Sequence, residues 1–282
     1  MEKHRQEFGM NAMARVLCVT RSGYYFWLKN RDQQSSKRMK KIELDRLVMQ
    51  SFIDSKQRYG AERIQKDLAD LDVYPDIKTI RSSIKRQGLQ AKAARLFKVT
   101  TNSNHQHDIS PNLLERNFKA EKPNQKWAGD ISYLYTSEGW LYLAVIIDLY
   151  SRAVVGWSVS ERMTSALVCD ALNMGLWRRG MPKDVIVHSD RGSQYCSKDY
   201  RKIIKENDLS QSMSRKADCW DNACSESFFH SLKVEAIYGE PILNREEMRA
   251  LIFEYIEIDY NKTRRHSTIG FLSPEQFERK NA

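Results

Sequence analysis

The sequence predicts an α/β protein: a mixed sheet preceded by an all-helical, basic N-terminal region. Three observations carry this. The whole net charge of +10 lies in the first 110 residues, which hold 22 basic against 12 acidic side chains, while residues 111–282 hold 24 of each. Apolar residues recur at helical spacing up to about residue 90, and strict alternation begins at Lys126. Beyond that alternating region, helical and extended patterns take turns.

A chain of 282 residues is about two domains long. Its 41% hydrophobic content suffices for a sizeable core. The longest strongly apolar stretch, Leu141 to Leu149, is interrupted by Asp148 and falls short of the ~20 residues of a membrane helix. Met1 to Phe8 is charged rather than signal-like. Five cysteines without a C-x-x-C pair read as reduced thiols, so a cytoplasmic protein without membrane attachment is expected.

The N-terminal elements come first. Met13 to Leu17 reads as a short apolar helix, Thr20 or Ser22 as a cap, and Tyr24 to Trp27 as part of a short aromatic helix. A second pair comes next, with Ile64, Leu68 and Leu71 on one helix and Ile77, Ile80 and Ile84 on the other. The outer face of that last helix carries Lys78, Arg81, Ser82 and Lys85, side chains suited to phosphates or base edges in a major groove. A solvated basic face is the ordinary alternative, and the connector Asp72 to Asp76 is long for a helix-turn-helix. Expected boundaries are a helix-turn-helix-like segment at 1–50, a basic DNA-binding domain of the same type at 51–95 and a linker at 96–122. His105 and His107 fall in that linker and are read as solvated.

An α/β core at 123–240, the expected place of any chemistry, and a C-terminal helical extension at 241–282 complete the expected boundaries. Lys126 to Tyr135, Trp140 to Leu149 and Ala153 to Val159 read as a three-stranded meander. After it come a helix at Ser165 to Arg179, a buried strand at Asp184 to Asp190, a helix at Ser197 to Asn207 and a strand at Ser210 to Ser214, and another helix begins near Asp221. This order describes a sheet like that of ribonuclease H.

Three acids fall at informative places: Asp130 inside the first strand, Asp190 at the end of the fourth and Glu226 on the next helix. A carboxylate within an apolar strand is costly to bury unless paired. Three acids converging would repel and hold protons, whereas divalent cations keep them ionised. Such a set suits two Mg²⁺ ions about 4 Å apart, with Mn²⁺ as substitute, in phosphoryl transfer. Each acid alone also reads as a strand-edge, loop-cap or solvated residue, so the joint placement is the signal. Helical spacing puts Asn222, Glu226, His230 and Lys233 on one face, with Phe228 and Leu232 on another.

Trp127-x-x-Asp130-Ile131-Ser132-Tyr133, His188-Ser189-Asp190-Arg191-Gly192-Ser193-Gln194-Tyr195 and Asp221-Asn222-Ala223-x-x-Glu226-Ser227-Phe228-Phe229 with Lys233 closely resemble the catalytic core of bacterial insertion-sequence transposases encoded by a second open reading frame, relatives of retroviral integrases. The thirty-five residues between Asp190 and Glu226 match that family's spacing. Ser22 to Tyr25, Arg58 to Gly60, Tyr260-Asn261-x-x-Arg264-x-His266 and Ser273-Pro274 extend the likeness over nearly the whole chain. The resemblance implies a Mg²⁺-dependent DNA transposase, cutting and joining strands at element ends. Asp130, Asp190 and Glu226 would be the catalytic metal ligands, and Lys233 and Asn222 would contact DNA. It implies double-stranded terminal inverted repeats and target DNA as partners, a homo-oligomer in the active complex, and fusion to an upstream-frame protein. A catalytically idle DNA-binding regulator or partial subunit and a ribonuclease H-like nuclease are the alternatives. A zinc site at Cys219 and Cys224 lacks both spacing and a ligand histidine.

Overall fold

The computed structural model describes residues 1–92, 110–114, 117–214 and 223–282, with the backbone alone for 31–35. His105, His107, Cys219, Asp221, Asn222 and most of the expected 96–122 linker lie outside the described residues. The chain divides into two compact units, Met1–Ala91 and Lys92–Ala282.

The first unit is all-helical: α1 (Met10–Val16), α2 (Arg21–Asp54), α3 (Ala61–Ala69) and α4 (Ile77–Arg86). Thr20 caps α2 by accepting from the Gly23 amide at 3.0 Å. The sequence reading expects a short aromatic helix and a boundary at 50, but α2 is one helix of 34 residues that runs through that position. Its middle, from Lys37 to Gln50, holds neither glycine nor proline, so nothing in the chain stops it. Val48 and Phe52 of α2 pack with Tyr59, Ile64, Leu68 and Ile80 in one small core. Asp76 caps α4 through the Lys78 amide at 2.7 Å. Asp45 ties α2 to α4 by accepting from Ser83 at 2.6 Å and from the Arg86 guanidinium.

The second unit is built on a five-stranded sheet of order β3-β2-β1-β4-β5. The strands are β1 (Lys126–Thr136), β2 (Gly139–Asp148), β3 (Val154–Ser160), β4 (Ile186–Ser189) and β5 (Ser210–Met213). Antiparallel pairing joins β1, β2 and β3, whereas β4 lies parallel to both β1 and β5. Each strand falls within two residues of its expected span at either end. Helices α5 (Ser165–Arg178) and α6 (Lys198–Glu206) cover one face, where Trp127, Ile146, Val155, Leu172, Val187 and Tyr200 share a core. At Gly156 a side chain would start 2.1 Å from the Ala171 carbonyl oxygen, so glycine is what lets β3 approach α5.

The opposite face is covered by α7 (Ala223–Leu232), α8 (Arg245–Glu254) and a π-helical segment Tyr255–Thr263. Leu143, Val145, Phe228, Leu232, Ile252 and Tyr255 pack together there. A shorter π-helical turn, Lys233–Ile237, continues α7. The C-terminal helix α9 (Pro274–Lys280) opens on a capping box between Ser273 and Gln276.

Candidate active site

The site forms where β1 loses its neighbour. Pairing of β1 with β4 stops at Ala128, opposite His188. Asp130 comes two residues later, half-buried, with its Oδ1 accepting from the Ile131 amide at 2.8 Å. Asp190 is the first residue after β4. Its Oδ1 accepts from the Gly192 amide at 2.9 Å, which folds the strand end into a tight turn. A side chain at Gly192 would begin 2.9 Å from that same oxygen, so the turn leaves no room for one. Arg191 fastens the turn by donating to the Ser214 carbonyl at 2.7 Å.

Glu226 stands in the first turn of α7. Its side chain reaches solvent, yet its carboxyl lies near enough to the protein body for desolvation to raise its pKa. Asp130 is displaced much further. Burial pushes its carboxyl well above the ordinary 3.8, and the neighbouring Asp190 and Glu226 charges push the same way, opposed by the Ile131 amide and by Lys233. Asp190 and Glu226, far apart in sequence, therefore both lie in electrostatic reach of Asp130. They are gathered rather than closed: among the described residues, no three His, Cys, Asp or Glu side chains are near enough to hold a metal ion as they stand.

Lys233 is the cation of the group. It is 8% exposed; burial lowers its pKa, and the Asp130 charge partly restores it. Its Nζ lies 5.2 Å from the centre of the Tyr133 ring. Helical spacing alone misses one feature here: Lys233 opens the π-helical turn, where the α-helical register ends. Glu235, in that turn, is buried and receives the Arg264 guanidinium at 2.7 Å and the Tyr255 hydroxyl at 3.0 Å. Arg264 also donates to Ser231 at 2.9 Å. The Arg264 signature was visible in the sequence, but nothing there marks Glu235 as its partner.

Tyr195 is a second residue that sequence reasoning missed as a site member. It is buried, and its hydroxyl has no hydrogen-bond partner among the described residues. Burial, then the Asp130 and Asp190 charges, push its pKa well above 10. An orphaned donor beside gathered carboxylates is a polar position that a ligand oxygen would satisfy. The donor set is wholly hard oxygen, which fits Mg²⁺ or Mn²⁺ and not a thiolate- or imidazole-seeking metal. His188 is turned elsewhere, with Nδ1 on the Ser212 hydroxyl at 2.8 Å.

In the other unit, Lys78, Arg81, Ser82 and Lys85 are all exposed on α4, with Ile80 and Ser83 buried behind them. Ser82 returns its hydroxyl to the Lys78 carbonyl at 2.8 Å.

Residues 120–219 and 226–281 match the integrase core domain family. The chain is 56% identical to the transposase InsF for insertion sequence IS3A of Escherichia coli K12 over 281 residues, covering 100% of this chain and 98% of that one. It is 41% identical to an uncharacterized 31 kDa protein of insertion element IS600 from Shigella sonnei, covering 95% of this chain and 98% of that one. A chain of a simian T-cell lymphotropic virus intasome is a distant likeness, 18% identical with a TM-score of 0.48 over 62% of this chain and 60% of that one. By its full-length identity and its integrase core, the chain belongs to the bacterial insertion-sequence transposases of the DDE integrase superfamily, which are polynucleotidyl transferases.

Proposed function

We propose that Asp130, Asp190 and Glu226 are the catalytic carboxylates of a Mg²⁺-dependent cut-and-join reaction on DNA ends. The observation carrying this reading is the placement of the acids: Asp190 at the end of β4 and Glu226 in the first turn of α7 both come within electrostatic reach of Asp130 from 60 and 96 residues away in sequence. In the first step, water attacks the phosphodiester at the element's end and the 3′-oxygen leaves, taking up a proton as a 3′-hydroxyl. In the second, that hydroxyl attacks a phosphodiester of the target strand and displaces its 3′-oxygen. No net phosphodiester bond is lost in the joining step, so no external energy source is needed.

The three carboxylates would hold the metal, two ions with Mg²⁺ or Mn²⁺, which when bound activates the attacking oxygen and stabilises the leaving one. Asp190, fixed by its amide turn, and Asp130, fixed by the strand, bracket the pocket, while Glu226 approaches from α7. Lys233 neutralises the phosphate entering beside Asp130, and the Tyr195 hydroxyl satisfies an oxygen in the pocket. Asn222, outside the described residues, is assigned to DNA contact by its place in the sequence motif. Lys78, Arg81, Ser82 and Lys85 hold duplex, by phosphate neutralisation first and base edges second.

The partners in this reading are the terminal inverted repeats and target DNA, a second copy of the chain for paired cleavage, and an upstream-frame protein as fusion partner. DNA in the nucleoid sets the place of action; among the described residues no helix is long and apolar enough to cross a membrane. Strand transfer by the purified protein tests the assignment. Asp190→Asn should abolish cleavage and joining while duplex binding persists; undiminished joining would refute it. Duplex binding without any metal-dependent cleavage by the unaltered chain would point instead to an idle regulator.

A further inference from the structure

Beyond Ala128, β1 runs to Thr136 with β2 on one side and no described strand on the other. In this stretch Ser132, Leu134 and Thr136 are buried while Tyr133 and Tyr135 are exposed. Tyr135 sits directly opposite Trp140 of β2, and Tyr133 lies diagonal to it. The three rings pack edge to face, Tyr133 on Trp140 at 5.1 Å and Tyr135 on Trp140 at 5.3 Å. Yet they remain 40%, 57% and 47% exposed, and none joins either core of the sheet. Tyr238, also exposed, has its pKa raised first by partial burial and then by the nearby Tyr133.

Large rings grouped this way and left wet need an explanation. The surroundings are polar. Glu138 accepts from the Arg245 amide at 2.7 Å, and the Arg245 guanidinium pairs with Glu161 at 2.8 Å. A dry protein partner would have to bury these charges. Lys233 supplies the decisive link: the same ammonium feels the Asp130 charge and stands over the Tyr133 ring. Aromatic faces beside a cation are the means by which proteins hold single-stranded nucleic acid, base on ring and phosphate on cation. Paired bases already have both faces covered by their neighbours, so such a surface favours unpaired ones.

We propose that Tyr133, Tyr135 and Trp140 form a stacking platform for unpaired bases of the DNA end whose phosphate enters the acid pocket. The proposal rests on the assignment of Asp130, Asp190 and Glu226 as that pocket. In it, Lys233 spans the boundary between the nucleotide being cut and its unpaired neighbour, so the platform selects frayed or single-stranded ends over closed duplex.

The test uses the full chain and two fluorescent probes, a short oligodeoxythymidine strand and a blunt duplex of mixed sequence. Tyr133→Ala/Trp140→Ala should weaken single-strand binding by about tenfold or more, with duplex binding changed less than about twofold. Tyr133→Phe/Trp140→Phe keeps two π faces and should retain single-strand affinity. Tyr135→Ala, the smallest change, should show a partial loss, which keeps the test decisive if the double variant melts early. Unchanged single-strand affinity, equal losses on both probes, or a changed oligomeric state with binding intact would overturn the platform. Asp190→Asn should bind the single strand normally. If it cleaves as well as the unaltered protein, the acid assignment falls while the binding result still stands or fails by itself.

Discussion

The two units use charge in opposite ways. In the N-terminal unit the cations of α4 stand in water on the outside of a small apolar core, held there by a helix that Asp76 caps. In the second unit the acids are drawn together rather than spread, and beside them the chain supplies an amide turn for Asp190, a buried lysine and a buried ion pair. Exposed charge is inexpensive and interchangeable, whereas gathered charge is costly and tied to particular neighbours. The first arrangement suits long-range attraction to a polyanion and the second suits chemistry at one bond.

Removing a gathered charge should have the largest effect. Asp130→Asn, or chelation of divalent ions, is expected to lower strand transfer by about 10³-fold or more, since several kcal/mol of transition-state stabilisation are lost. Duplex binding through α4 should survive both, and parallel loss of binding would erase the contrast. Next comes the buried pair. Arg264→Met removes the guanidinium paired with the buried Glu235 and should destabilise the second unit by about 3–5 kcal/mol in denaturant unfolding. If the two units unfold in separate steps, only one step should move.

Altering the exposed face should be gentler. Lys78→Ala/Arg81→Ala/Lys85→Ala should leave stability nearly unchanged but reduce the slope of log affinity against log salt by about two to three on duplex DNA. An unchanged slope would mean that α4 is merely solvated. The smallest effect concerns pH. Hydrogen bonds from Arg86, then from Ser83, hold the Asp45 carboxyl below 3.8. Its pKa is depressed on folding, so its contribution is complete above 3.8 and fades as pH falls through the lower folded-state value. Acid unfolding of the N-terminal unit should therefore be shallower in Asp45→Asn, as measured by circular dichroism across that range.

The sheet was legible because its patterns are local: alternation in β1 and apolar runs in β2 and β4 need no knowledge of neighbours. Asp130 stood out as a charge in an otherwise apolar strand, and Glu226 through its spacing from Asp190. The features that could not be read depend on distant partners or on absent signals. No residue announces that α2 continues to Asp54, because continuation leaves no mark as a cap or a proline does. Tyr195 looks like any core aromatic until its hydroxyl is found without a partner. The turn after α7 widens where Glu235 meets Arg264 from 29 residues away.

That widened turn makes the length of the chain itself a functional parameter. A π turn accommodates one residue more than an α turn. Deleting Ala236 would let this stretch relax into an ordinary α turn, and because that turn closes on one residue fewer, the chain beyond it would keep nearly its present direction. A deletion inside α7 finds no such slack and would swing residues from Tyr238 onward by about 100°, so this face of the sheet tolerates a shorter chain only at the π turn.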